Sequence, residues 1–377
     1  MLVEPFLLSI PEADLVDLHE RLARVRWPDR ETVEGNQQGP QLTRLQELVA
    51  RWREGYDWRP TEHLLNGLGQ YRTTIDGLEI AFLHVRSPEP GAVPLLMTHG
   101  WPGSVLEFRH VIGPLTDPAA HGGDPADAFH LVLPTLPGFG FTQHPAGPGW
   151  NLARTAEAWI ELMDRLGYPE YFAQGGDLGA GVTDEIAARN PSGLRGIHLN
   201  FAMFRPTPEE HAEATAAEKQ MLADADYFWA NLSGYAAEQS TRPQTIGYSL
   251  ADSPTGLAAW IYSLIQDTAG TVPPLDEVLD NIMLYWLPNS GTSAARMYWE
   301  MVQAHWSSPA GIEHPITVPT GVAMAPREHV RKSERWVARR YTNLVHFAEL
   351  PEGGHFTAWE QPHLLVDDLR TTFRGLR

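Results

Sequence analysis

Cysteine is missing from all 377 residues, which excludes disulfide staples, thiolate nucleophiles and cysteine-ligated metals together. Basic charge is scarce as well. Lys and Arg number 28 against 47 Asp and Glu, for a formal net charge of -19. A chain with that balance has little to neutralise phosphates with, so nucleic acid and anionic lipid surfaces drop out as partners. No uninterrupted apolar run is long enough to cross a bilayer, and residues 1–10 have no basic start ahead of their apolar side chains. The expectation is a cytoplasmic protein without a membrane anchor. The sequence offers no His-Glu-x-x-His pattern or comparable ligand cluster, so neither metal nor cofactor is expected, and it contains no internal repeat.

What is present is apolar and patterned. Hydrophobic residues make up 43% of the chain, enough for one large α/β domain with an insertion or for two ordinary domains. Ser9-Ile10-Pro11-Glu12 reads as a capping box, after which Leu15, Leu18, Leu22 and Val25 recur at helical spacing until Pro28. A second helix is expected over residues 43–53. Residues 1–70 thus form a helical, meandering segment that should pack onto the domain beginning at residue 71.

From residue 71 the period changes to two. Residues 71–75 and 79–85 flank Asp76-Gly77, a strong hairpin signal. Short apolar runs at 93–98, 130–133, 171–174 and 194–199 then alternate with helical patterns at 104–115, 152–166 and 178–189, which argues for a mostly parallel sheet covered on both faces. Residues 201–310 are helical pieces broken by Pro206, Pro243, Pro254, Pro273, Pro274 and Pro288, and rich in Tyr and Trp. That composition suits a lid over an apolar pocket, or a helical unit with its own core. Strand signals return at 317–324 and 344–350 and a helix closes the chain at 361–373, so residues 71–200 and 311–377 should share one sheet.

The chemistry centres on Gly175-Gly176-Asp177-Leu178-Gly179, where a strand-like run meets glycines and opens into a helix. This is the strand-to-helix elbow of the α/β-hydrolase fold, in which the nucleophile sits in a strained turn between small residues. A carboxylate at that position rules out a serine hydrolase here and points to attack on an electrophilic carbon through an ester intermediate. Taken alone, the pentapeptide could equally be a turn capped by Asp. Three further features favour the elbow. Thr98-His99-Gly100-Trp101-Pro102-Gly103 comes just after a strand and can aim the Trp101 N–H at an oxyanion, paired with the N–H of Leu178. His355, in Gly353-Gly354-His355-Phe356, comes after the nucleophile in the chain order of the fold, and Glu328 after the strand at 317–324 is the preferred acid over Glu349 and Glu352 beside His355. A strained ether also needs a proton donor at its departing oxygen, a role a phenol can fill while staying protonated; spacing does not single out which tyrosines do so.

Together, His99-Gly100-Trp101-Pro102, Gly175-Gly176-Asp177-Leu178-Gly179, Pro326-Arg327-Glu328 and Gly353-Gly354-His355-Phe356 resemble the microsomal-type epoxide hydrolases, and so does the segment from Phe6 to Pro28. The resemblance implies an α/β-hydrolase fold with a helical cap, and conversion of an epoxide and water to a vicinal diol without a cofactor. It implies Asp177 as nucleophile, Glu328 and His355 as the water-activating pair, and Trp101 and Leu178 as oxyanion donors. Through Ser233-Gly234-Tyr235 and Arg296-Met297-Tyr298 it also picks Tyr235 and Tyr298 as the phenols that bind the epoxide oxygen. Many relatives place Trp directly after the nucleophile where this chain has Leu178, which alters pocket shape but not the backbone donor. The membrane anchor of the mammalian members does not carry over. A haloalkane dehalogenase and a ligand-binding receptor on the same fold are the rival readings. The partners expected are a small hydrophobic epoxide and water, and a homo-oligomer is compatible with the sequence. A composition rich in Ala, Arg, Gly and Pro suggests a bacterial source, where such activity serves detoxification or natural-product biosynthesis.

Overall fold

The computed structural model describes residues 3–304 and 315–377, so the expected boundary between residues 310 and 311 lies outside the described residues. The chain opens with a two-residue strand, β1 (Glu4–Pro5), and three helices, α1 (Glu12–Ala23), α2 (Leu42–Glu54) and α3 (Arg59–Gly67). One detail differs from the expected capping box. Pro11 itself occupies the N-cap and no side chain caps the helix, while the Ile10 N–H just ahead of it donates to the Glu62 carboxylate at 2.6 Å. The helix also stops at Ala23, short of Pro28.

β2 (Gln70–Ile75) and β3 (Leu78–Val85) form the expected hairpin, with Asp76 at φ 49° and Gly77 at φ 79° supplying the two left-handed residues that such a turn requires. Next come β4 (Val93–Thr98), a 3-10 turn (Val105–Phe108) leading into α4 (Arg109–Thr116), β5 (Phe129–Pro134), α5 (Leu152–Arg165), β6 (Tyr171–Gly175), α6 (Asp177–Arg189) and β7 (Leu194–Leu199). Seven helices come after them: α7 (Pro208–Ala212), α8 (Ala216–Asn231), α9 (Gly234–Thr241), α10 (Pro243–Asp252), α11 (Pro254–Thr268), α12 (Leu275–Trp286) and α13 (Gly291–Gln303). The sheet then resumes with β8 (Thr320–Met324), α14 (Glu334–Arg340), β9 (Leu344–Glu349), α15 (Thr357–Glu360) and α16 (Pro362–Phe373).

The nine described strands form one sheet in the order β1-β2-β3-β5-β4-β6-β7-β8-β9. Its first three strands are antiparallel, β3 meets β5 antiparallel, and every pair from β5 to β9 is parallel. All five residues of β6 are buried, as expected for a strand covered on both sides. β7 pairs directly with β8, so the two stretches separated by the helical insertion share one sheet. The carboxyl ends of β4, β6, β8 and β9 open toward a single region, which is where an open α/β sheet carries its chemistry.

Candidate active site

Asp177 sits at the turn from β6 into α6 with φ 49°, left-handed backbone that a non-glycine residue adopts only when its surroundings impose it. Close packing imposes it here. A side-chain carbon on Gly179 would fall on the Thr98 carbonyl, and one on Gly100 would fall on the Asp177 carboxylate. The glycines of both motifs are therefore explained by how closely the β4 loop lies on the elbow.

That contact delivers a hydrogen bond. The Trp101 N–H donates to Asp177 Oδ1 at 2.8 Å. The Leu178 N–H lies in the first turn of α6, where amides have no acceptor within the helix. His99, fully buried, fixes the loop: Leu136 N–H donates to its Nε2 at 3.2 Å, so Nδ1 carries the proton and lies 3.1 Å from the Gly100 carbonyl. Burial lowers the pKa of His99 to about 4, so the ring is neutral.

The second oxygen of Asp177 faces His355. His355 Nε2 lies 3.4 Å from Asp177 Oδ2, while His355 Nδ1 lies 2.6 Å from Glu328 Oε2. Glu328 is in turn oriented by the Val330 N–H, which donates to Oε1 at 3.0 Å. Burial alone would lower the pKa of His355, but the charge of Glu328 and the hydrogen bond and charge of Asp177 raise it well above the ordinary histidine value. Burial would likewise raise Glu328, and the facing His355 brings it below the usual carboxylate range. Glu349 ends β9 exposed and Glu352 is exposed, so neither alternative acid meets the imidazole.

Three contacts hold the His355 loop. The His355 N–H donates to the Thr268 carbonyl of α11 at 3.1 Å, and the Gly354 and Phe356 N–H groups both donate to the Glu360 carboxylate at 3.0 Å. Phe201 packs edge-on against the imidazole at 5.6 Å. Neither Glu360 nor Phe201 was legible as a site residue, because nothing in their local sequence marks them.

The insertion brings two phenols to this region. Tyr235 on α9 and Tyr298 on α13 meet edge to face, with ring centroids 5.8 Å apart, and their hydroxyls interact with each other. Burial first, then neighbouring charges that include Asp177, raise both pKa values well above that of free tyrosine, so both are neutral donors. Three other tyrosines of α8 to α12 are placed differently. Tyr227 and Tyr248 are 55% and 71% exposed, and the Tyr285 hydroxyl donates to the Gly103 carbonyl at 2.5 Å.

Tyr285 belongs to a clamp that the sequence did not disclose. Asn281 Nδ2 donates to the Pro102 carbonyl at 2.7 Å, one turn from Tyr285 on α12, and the Tyr285 ring stands edge-on to Trp101 at 5.2 Å. On its other side α12 carries Asp280, which accepts hydrogen bonds from Tyr56 at 2.7 Å, Thr61 at 2.6 Å and Arg109 at 2.7 Å. One insertion helix thus joins the N-terminal segment, the sheet domain and the oxyanion loop.

Sheet, elbow and facing His–Glu pair define an α/β hydrolase with a carboxylate at the nucleophile position. Residues 3–108 match the family model for the epoxide hydrolase N terminus, and residues 93–247 match that for the alpha/beta hydrolase fold. The chain is 50% identical over 381 residues to a Stigmatella aurantiaca protein carrying an epoxide hydrolase designation, covering 100% of this chain and 86% of that one. It is 34% identical over 401 residues to epoxide hydrolase 1 of Oryctolagus cuniculus, covering 97% and 88%. Among solved structures, the Aspergillus niger epoxide hydrolase superposes with a TM-score of 0.90 at 32% identity, covering 100% of this chain and 97% of that one. The chain belongs to the epoxide hydrolases, and it is a hydrolase that adds water to an epoxide.

Proposed function

We propose that the reaction runs through a covalent ester on Asp177. Asp177 Oδ2 attacks a ring carbon, the carbon–oxygen bond of the epoxide breaks, and Tyr235 and Tyr298 hold the departing oxygen and supply its proton. Water then attacks the carboxyl carbon of the ester, His355 Nε2 takes the water proton, and Glu328 stabilises the imidazolium. Trp101 and Leu178 N–H groups receive the charge that develops on Oδ1. The diol leaves and Asp177 is restored.

The observation that carries this reading is the division of labour between the Asp177 oxygens: Oδ1 accepts from Trp101 at 2.8 Å, while Oδ2 faces His355 at 3.4 Å. A nucleophile needs one oxygen anchored and the other presented. The helical insertion acts in this scheme as the cap that supplies the phenols, and residues 1–70 brace it. Among the described residues no helix is long and apolar enough to cross a membrane; the cytoplasm as compartment and a small hydrophobic epoxide as substrate rest on composition and on the family.

The test uses the origin of the oxygen. With enzyme in excess over styrene oxide in heavy-oxygen water, one turnover gives unlabelled diol and places the label in the peptide containing Asp177. Heavy oxygen entering the diol in that first turnover, with the peptide left light, would show direct attack by water and remove Asp177 as the nucleophile.

A further inference from the structure

Glu107 lies on the 3-10 turn after the oxyanion loop, and nothing in the chemistry so far uses it. Its carboxyl rests against Gly103, where any side-chain carbon would collide with Oε2. The same carboxyl lines a cavity with Asp177, His355, Asn200, Trp101 and Phe356, one with room for a water-sized molecule. Among the described residues it has no hydrogen-bond or ion-pair partner, although the residue is only partly exposed. A half-buried carboxyl left unpaired is costly, and at a functional site such a group commonly waits for a ligand. The lining of the cavity is largely apolar, with few polar side chains. Glu107, Asn200 and His355 face into it beside the carboxyl carbon that hydrolysis must reach.

We infer that Glu107 holds the water that hydrolyses the ester, its carboxyl accepting one O–H of that water while His355 Nε2 accepts the other. The inference rests on the covalent reading above and adds a second anchor to its water. The water oxygen bonds to the Asp177 carboxyl carbon and its proton passes to His355 Nε2. The carbon–oxygen bond to the alkyl group then breaks, the departing alkoxide takes the proton of the new Asp177 carboxyl to become the diol, and the proton on His355 returns to the phenolate left by alkylation. Glu107 neither gains nor loses a proton overall; it fixes the direction of the water's lone pair. Burial first, then the charge of Asp177, raises its pKa well above the usual carboxylate value, against an opposing effect of His355. The amide of Gln keeps an acceptor oxygen in the same place and should serve nearly as well, and an apolar residue should not.

The experiment tracks both half-reactions in the full-length protein with styrene oxide, by rapid-mixing fluorescence and intact-protein mass, for Glu107→Leu, Glu107→Gln and His355→Gln. Loss of one acceptor for the water is expected to slow ester hydrolysis by about tenfold or more in Glu107→Leu while alkylation stays within about threefold. Alkyl-enzyme then accumulates, and Glu107→Gln restores most of the hydrolysis. Hydrolysis at the wild-type rate in Glu107→Leu, or an equal loss of both steps in the Leu and Gln variants, would overturn the inference. Should the Leu variant fail to fold, Gly103→Ala displaces the carboxyl instead: selective loss of hydrolysis supports the role and an equal loss of both steps refutes it. An adduct in His355→Gln but not in Glu107→Leu removes this inference alone. No adduct in any variant brings down the covalent reading and this inference with it.

Discussion

His355 Nε2 stands 3.4 Å from Asp177 Oδ2, close enough to feel the nucleophile's charge and too far for a strong hydrogen bond. With Asp177 as nucleophile and His355 as base, as proposed above, that spacing makes the base depend on the state of the nucleophile. In the resting protein Glu328 and Asp177 both favour the imidazolium. Once Asp177 is an ester its charge is gone, and one of the two carboxylates that held the proton on His355 has been removed. On the proposed mechanism, the base is freed at the step that needs it.

The first prediction is therefore a drop in the His355 pKa on alkylation. Ester hydrolysis should rise with pH through a value below that found by NMR titration of the imidazole in the resting enzyme. The same raised value sets the sign of the stability effect: the contribution of His355 to folding is fully present below about pH 6.5 and is lost as pH rises through the folded-state pKa. Glu328, whose pKa is lowered, contributes above about pH 4.3 and loses that contribution as pH falls. Equal pKa values for resting and alkylated enzyme would contradict the account.

Glu328→Gln should slow ester hydrolysis by about a hundredfold or more and alkylation far less, because only the second half-reaction creates an imidazolium. Burst kinetics separate the two steps. Glu349→Gln serves as a control and should leave both rates unchanged, since that side chain is exposed at the end of β9.

Tyr235→Phe and Tyr298→Phe should each slow alkylation by about tenfold to a hundredfold, with the double change close to abolishing it, since the lost hydrogen bonds strengthen as the epoxide oxygen gains charge. Wild-type alkylation in both single variants would dismiss the pair as oxygen ligands. Circular dichroism melts of each variant check that the fold survives.

Asp280→Ala tests the clamp rather than the chemistry. The Arg109 and Asp280 side chains are 17% and 8% exposed, and truncation strands a mostly buried guanidinium together with two hydroxyl donors. Breaking such a pair costs about 3–5 kcal/mol, a large share of a typical domain's stability. Urea unfolding should show that loss, and a change within about 0.5 kcal/mol would mean the cluster is merely a surface pair.

The parts of this molecule that the sequence disclosed are those in which backbone lies against backbone. Gly100 and Gly179 have to be glycine because the Asp177 carboxylate and the Thr98 carbonyl fill the space where a side chain would go, so the packing is written into residue type. Asp76-Gly77 announces its hairpin for a similar reason. Contacts between distant side chains leave no such trace. The bond from the Ile10 N–H to Glu62, which holds the start of α1, is of this kind, since Glu62 comes from another helix. β1, two residues long, has no period to read, and α3 begins at Arg59-Pro60, where proline signals a turn as readily as a first helical turn. Tyr235 was reachable through the family resemblance alone, since composition treats all the cap tyrosines alike. Glu107 looks from the sequence like any glutamate on a helical turn, and only its missing partner sets it apart.

The attachment of α12 has a bearing on how substrate enters. An insertion swinging open as one piece would have to break Arg109–Asp280, Tyr56–Asp280, Asn281–Pro102 and Tyr285–Gly103 together, and would pull the Trp101 loop off the nucleophile as it moved. Movement that admits substrate is therefore expected in α8, which exposes Tyr227 and Trp229, and in α9 rather than in α12. Amide exchange should be slow along α12 and faster along α8 and α9, and comparable protection in all three would argue against such a split. Because Tyr235 and Tyr298 stand on separate helices, α9 and α13, any opening between those helices would part the two phenols, and on the proposed mechanism an open enzyme would be an idle one.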